Sequence, residues 1–361
     1  MSAVYSLQRT GSLWQQRMQG MREYEVIRDG NVFGSSFTQS GIFMSEYEEA
    51  RRQLEYLLTR YQGRSFESVF DGREIANDGG VCFVRESLHD LTIRAADPGR
   101  FHEELLQDLT LVRGIGPATR ARLTARGYRT IPDLVSHPRY RSGAEDVLSR
   151  ISTGDTMELM DLIGSRHTKS HQSILGTSGF HDPEDFVFFD IETLGLFSRP
   201  IILLGIGVPE KDHLHVHQYL LRDIGEEEAA LVATIDHLSG DHPALVTFNG
   251  KAFDLPYLAD RLAYYGLGSP SEIPHFDMLH FSRRRYKGEF PSLRLTALEK
   301  NILGISRSGD IPGQMVPEFY ETYQRSGNCG PLVPVLDHNC QDVISLALLF
   351  FQLAGESYGC T

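Results

Sequence analysis

Phe186-Val187-Phe188-Phe189-Asp190-Ile191-Glu192-Thr193 decides how this chain is read. Four apolar residues of β-favouring character run directly into two acids set two apart. Successive side chains alternate across a strand, so Asp190 and Glu192 point to one face. At about 3.3 Å per residue their stems stand roughly 6.6 Å apart, close enough to share a divalent cation. Two carboxylates at the end of a buried strand repel each other and lose hydration, so they call for a counter-ion.

Working outward, the pattern predicts further strands over 200–208 and 213–221, a helix over 226–238, a strand over 244–249 and a helix over 252–265. Sequential strands followed by alternating helix and strand indicate a mixed sheet covered by helices, an α/β fold. Ligands of such sheets gather at strand carboxyl ends. Thr247-Phe248-Asn249-Gly250 ends one strand, and Asp254 follows in the first turn of the next helix. Taken singly, Asp254 reads as a cap favoured by the helix dipole. Further on, His338 and Asp342 are four apart and share a helix face. The helix behind them is apolar nearly all round over 343–353, which marks it as buried. An acid at its mouth is costly without a cation. A hydrogen-bonded pair would account for His338 and Asp342 alone, but with Asp190, Glu192 and Asp254 they make four acids and one base.

That order resembles the DEDD exonucleases of the RNase H-like superfamily over residues 184–355. Motif one is Asp190-x-Glu192, motif two Asn249-x3-Phe253-Asp254, and motif three His338-x3-Asp342. Finer detail is similar to the YprB-like group of predicted exonucleases. It lies in 188–196, in His275-Phe276-Asp277-Met278-Leu279 with Arg283 and Arg284, and in Leu298-Glu299 and Asp310-Ile311-Pro312-Gly313. One departure is that His338 stands at the spacing where these exonucleases usually carry Tyr. The resemblance implies an RNase H-like mixed sheet flanked by helices and a metal-dependent 3′–5′ exonuclease acting on DNA or RNA. It implies two Mg²⁺ or Mn²⁺ ions, as all-oxygen ligands select hard cations. Asp190 would serve both ions, Glu192 and Asp342 one, and Asp254 the other, with His338 as general base. Thr193, Leu194 and Asn249 would flank the terminal nucleotide. Arg283 and Arg284, in a stretch mixing cations with Tyr286 and Phe290, would grip a strand. The alternatives are a nucleic-acid-binding or scaffolding module without catalysis, and an RNase H-like endonuclease.

Upstream, residues 111–150 carry eight arginines against three acids, in a chain whose formal charge is −13. Gly114-Ile115-Gly116-Pro117 opens that stretch. Two glycines permit a tight turn, and the helix start that Pro117 suits presents backbone amides to an anion. The segment resembles the helix-hairpin-helix motif, which implies non-specific phosphate binding by Gly114, Gly116, Arg120 and Arg122. An ordinary packing hairpin is the alternative.

The chain has 361 residues, 41% of them hydrophobic, which suits two or three domains with real cores. The expected division is an N-terminal α+β region over 1–105, a small helical helix-hairpin-helix region over 106–165, a linker over 166–183 and the nuclease domain over 184–361. In the first region Ser45 to Glu48 fits a capping box, and a strand over 81–85 follows Asn77-Asp78-Gly79-Gly80. Four scattered cysteines without a C-x-x-C pair, with a polar start to the chain, suggest reduced thiols and a cytoplasmic location. The longest apolar run, 343–351, is too short to span a bilayer. Expected partners are nucleic acids, single-stranded or at 3′ ends, and no membrane; the sequence leaves oligomeric state open. His213, His215 and His217 share one face of a strand. Three ligands in a row on a straight strand cannot converge on one ion, so no zinc centre is expected from them.

Overall fold

A computed structural model describes residues 40–195 and 198–358. Its strands are β1 (Arg73–Asn77), β2 (Gly80–Asp90), β3 (Phe186–Thr193), β4 (Ile201–Glu210), β5 (His213–Leu220), β6 (Ala244–Thr247) and β7 (His275–Asp277). They form one seven-stranded sheet in the order β1-β2-β5-β4-β3-β6-β7. β3 sits at the change of sense: it pairs antiparallel with β4 and parallel with β6. The carboxyl ends of β3 and β6 therefore lie side by side, as the α/β reading requires. A register shift between Glu192 and Thr193 breaks the ladder just past the acids.

The two faces are covered differently. Phe186 and Phe188 pack with Phe350 and Phe351 of the helix Leu332–Tyr358, in a core that continues to Leu109 and Leu123. Val187, Phe189 and Ile191 point the other way, with Leu231 of the helix Glu227–His237 and Leu258 of the helix Asp254–Tyr265. The long helix lies close on β4 because two glycines face it. A Cβ at Gly205 would run into Asn339, and one at Gly207 into Val343.

Several expectations need correction. The Asp78-Gly79 turn joins Asn77 to Gly80 in a hairpin, and its second strand pairs with β5 along Phe83 to Asp90. Residues 73–90 thus extend the same sheet as β3 to β7, so no break in the sheet marks a boundary at 105. The first helix among the described residues runs Ser40–Arg60, which places Ser45 inside it and not at a cap. The stretch expected as a linker is packed: Ser173 to Ser178 are buried, with Ile174 and Leu175 in the core beside Phe101. Among the described residues no helix is long and apolar enough to cross a membrane.

Candidate active site

Asp190 and Glu192 lie on the face covered by the helix Leu332–Tyr358. Asp190 pairs across β4 with Gly205, and the space left by that glycine is filled by the side chain of Asn339. Asn339 is fully buried and its amide has three partners. Its Nδ2 donates to Asp190 Oδ2 at 2.9 Å, with a longer contact to the Asp190 carbonyl, and its Oδ1 accepts from Gln218 Nε2 at 3.0 Å. Asn339 therefore orients the first acid.

Asp254 arrives from β6. Asp277 at the end of β7 is 1% exposed and accepts from the backbone N–H groups of Asn249 at 2.8 Å and Lys251 at 3.1 Å. These bonds shape the turn in which Asn249 takes a left-handed conformation, φ 70°. Asp254 is 5% exposed, and the nearby Ile191 amide, between the two β3 acids, favours its charged form. The third arm is the long helix. His338 Nε2 lies 3.8 Å from Glu192 Oε1 and 3.8 Å from Asp342 Oδ2.

Burial, then the charges of Asp342, Glu192 and Asp254, push the Asp190 carboxyl well above its ordinary value. Burial raises Glu192 to about 8, partly opposed by His338. Burial also raises Asp254 to about 7 against the amide bonds that favour its charged form. Burial disfavours a charged His338, yet Asp342, the Asp310 hydrogen bond and Glu192 outweigh it and lift the imidazole to about 10. The acids feel one another strongly, but no three of their donor atoms close to within 4.8 Å; among the described residues only Glu86, His215 and His217 do so. Arg307 stands at the Asp342 side of this set. Its guanidinium bonds Asp342 Oδ1, grips buried Glu299 at 2.5 and 2.7 Å, and meets Asp310 at 3.1 Å. That cation neutralises one side of the acidic cleft. Oxygen-rich, buried and mutually repelling, the four-acid set suits hard divalent cations.

Two residues that carry the family resemblance without a role in it, Glu299 and Asp310, line this wall together with Arg307, which lies outside the motifs. Glu299 opens a π-helical turn, Glu299–Leu303, of the kind found at functional sites. Asp310 Oδ1 lies 2.7 Å from His338 Nδ1, against 3.4 Å for Arg307 Nη1. The shorter contact makes Nδ1 a donor to Asp310 and turns Nε2 toward Glu192 and Asp342. Asp277 likewise had no role in the sequence reading, and Asn339 was missed. Their signals were faint: an acid closing a short strand, and a glycine inside the apolar run of β4.

The other expected substrate residues are more scattered. Thr193 Oγ1 donates to the Gly195 carbonyl at 2.9 Å, and Leu194 is half-buried in the core. Arg283 and Arg284 sit on the helix Met278–Tyr286 and not in a loop. Tyr286 is 3% exposed, so it has no free face for a base. Arg284 Nη1 donates to Thr168 at 3.0 Å, and Asp108 of the hairpin region bonds His167 at 2.9 Å. In the hairpin, Gly114 has φ 87° and buried Ile115 anchors the loop. Gly116 caps the helix Pro117–Ala125 without a side chain, leaving its first amides open. Arg120 and Arg122 are exposed, and Arg120 lines an open groove of about 500 Å³ with Thr110, Pro117 and His167.

A sheet of this topology, with acids at adjoining strand ends, defines the RNase H-like class. Residues 187–354 match the family model described as the RNase H superfamily, and that stretch of this chain is an RNase H-like domain. The "Uncharacterized protein YprB" of Bacillus subtilis (strain 168) is 35% identical over 202 residues, 55% of this chain and 48% of that protein. The "DNA polymerase 1" of Sulfolobus acidocaldarius is 29% identical over 105 residues, 24% of this chain and 12% of that protein. The chain spans about half the length of the first relative, or less for the second.

Proposed function

We propose that the RNase H-like domain is a DEDD-type exonuclease that removes nucleotides from a 3′ end of DNA or RNA. One observation carries the reading: β3, the turn after β6 and the long helix separately bring Asp190, Glu192, Asp254 and Asp342 into one another's field, with His338 Nε2 3.8 Å from two of them. The four carboxylates would hold two Mg²⁺ or Mn²⁺ ions. Bound there, the cations would supply Lewis acidity and charge neutralisation to the scissile phosphodiester. The chain's own groups do the rest. Without cations the acids keep the His338 imidazole charged. With the acids' charge taken up by bound cations and its Nδ1 held by Asp310, His338 would release its Nε2 proton and accept there the proton of the attacking water. The new P–O bond forms as the bond to the 3′-oxygen breaks, releasing a nucleoside 5′-monophosphate. Asn249, Thr193 and Leu194 border the acids, where the terminal nucleotide would lie. Gly114, Gly116, Arg120 and Arg122 would hold phosphates further along the strand.

The test is cleavage of end-labelled single- and double-stranded DNA and RNA with Mg²⁺ or Mn²⁺, then with chelator. A ladder shortening from the 3′ end, lost with chelator and in Asp190→Ala, is the expected result. An Asp190→Ala protein as active as wild type would sink the reading. Internal cuts would favour an endonuclease, and binding without cleavage an inactive module.

A further inference from the structure

His213-Leu214-His215-Val216-His217 alternates along β5, and its three imidazoles alone cannot surround an ion. The structure supplies a different third ligand. Glu86 on β2 stands directly opposite His217, with Oε1 3.2 Å from His217 Nδ1. The His215 and His217 rings are 4.2 Å apart. One donor atom from each of Glu86, His215 and His217 lies within 4.8 Å of the others. His217 is not on an exposed face as the alternation suggests: its side chain keeps 15% of its exposure, under the end of the helix Glu227–His237. The His237 ring lies 4.8 Å from it at a tilt of 50°, and Tyr219 Oη is 2.7 Å from His237 Nε2. His217 shares a row with Ile206 and Phe189, whereas Asp190 shares one with Gly205 and Gln218. The cluster and the catalytic acids are therefore on opposite faces of the sheet.

We propose that Glu86, His215 and His217 bind one transition-metal ion of the Zn²⁺ type, which ties β2 to β5. Two imidazoles and a carboxylate are a donor set that Zn²⁺ takes and that Mg²⁺ does not favour. Bonds of about 2.0–2.1 Å at a tetrahedral angle put two ligand atoms about 3.3 Å apart, close to the Glu86–His217 separation. Ligation needs a neutral imidazole and an ionised carboxylate. Burial, then His237 and His215, lower His217 to about 4. The Arg73 hydrogen bond holds Glu86 below its ordinary value. Arg73 is also the competitor, bonding both Glu86 oxygens at 3.1 Å. Its side chain is 59% exposed, and such surface pairs are weak.

The experiment titrates Zn²⁺ into the full chain against a chromophoric chelator, with Mg²⁺ saturating, and repeats it with Co²⁺. Wild type should bind one equivalent that Mg²⁺ does not displace. Co²⁺ should show tetrahedral visible bands without thiolate charge transfer, which separates this site from the cysteines. His215→Ala and His217→Ala should each weaken binding more than about 100-fold, beyond the range of an outer-shell partner. Asp190→Asn, which disables the carboxylate centre, should still bind one equivalent of Zn²⁺, and Arg73→Ala should bind it as tightly as wild type or more so. Unchanged binding in both histidine variants, or no equivalent bound by wild type, overturns the proposal. Should the variants fail to fold, modification of wild-type histidines by diethylpyrocarbonate decides. Protection of His215 and His217 by Zn²⁺ supports the site, and equal modification with and without Zn²⁺ removes it.

Discussion

Asp190 and Asp310 are both acids beside His338, and the structure gives them opposite electrostatic situations. Asp190 is buried and crowded by acids, and His338 offsets them only in part, so its charge is expensive. Replacing it by Asn keeps the shape and removes the repulsion. Without metal, Asp190→Asn should melt higher than wild type, and it should lack the upward shift that Mn²⁺ is expected to give wild type; differential scanning fluorimetry with and without chelator reads both. The pH dependence has a definite sign. Glu192 at about 8 and Asp254 at about 7 lie above their unfolded values. The native state then holds protons that the unfolded chain releases. The contribution of these groups is full below their unfolded values of about 4, falls progressively as pH rises, and is gone once pH has passed about 7 to 8. Metal affinity should rise over the same window, as the protons leave. Asp310 differs: burial works against its charge, but His338 and Arg307 win and hold it below its ordinary value. Its work is to aim an imidazole. Asp310→Ala should lower kcat by about 10²-fold, the low end of general-base effects, with Mn²⁺ affinity little changed. Asp310→Asn retains an acceptor and should recover part of the loss. Equal kcat in Asp310→Ala and wild type would leave His338 without a positioning partner.

At the scale of elements, each part of the site was legible in proportion to how local its cause is. β3 and its two acids follow from alternation and apolar character alone. The helix carrying His338 and Asp342 follows from its apolar length. The faces that meet were not legible. Gly205 reads as a weak spot in β4 until Asn339 is seen to fill it. Glu227, at the start of a helix, reads as a favourable dipole charge, yet it is fully buried and bonded to Arg261 at 2.6 and 2.7 Å. It also accepts from the Ile201 amide and Tyr265, so it clamps the helix Asp254–Tyr265 to the start of β4. That helix begins with a catalytic candidate, so the clamp bears on the site. Breaking a buried pair strands the remaining charge and costs about 3–5 kcal/mol. Arg261→Ala should lose about that much by urea denaturation, and Glu227→Gln with Arg261→Met should lose much less, because no charge is left behind. A loss in Arg261→Ala below about 1 kcal/mol, the range of exposed pairs, would mean that solvent reaches the pair.

For the whole molecule, the sequence divides into four segments but the core does not. The order of strands in the sheet depends on pairings 130 or so residues apart, such as Phe83 with Leu220, and no local pattern reports them. Residues 106–165 are attached to the RNase H-like domain at several points. Leu109 and Leu123 share its core, Arg166 reaches the Leu111 carbonyl, and the segment between holds Asp108 through His167 and Arg284 through Thr168. A rigid attachment changes what a single hairpin can do. A lone hairpin on a flexible tether binds phosphate weakly, whereas one fixed relative to a cleft adds its grip on the same strand without a further ordering cost. Arg120 and Arg122 should then act on affinity and not on chemistry. The Arg120→Ala/Arg122→Ala protein should bind a single-stranded oligonucleotide more weakly. Its slope of log K against log salt should be shallower by about 0.7 for each phosphate that is no longer neutralised. Cleavage of a mononucleotide ester, too short to reach the hairpin, should stay at the wild-type rate. An unchanged slope would leave the hairpin as a packing element, and a slower mononucleotide reaction would mean that the two arginines act through the structure of the cleft.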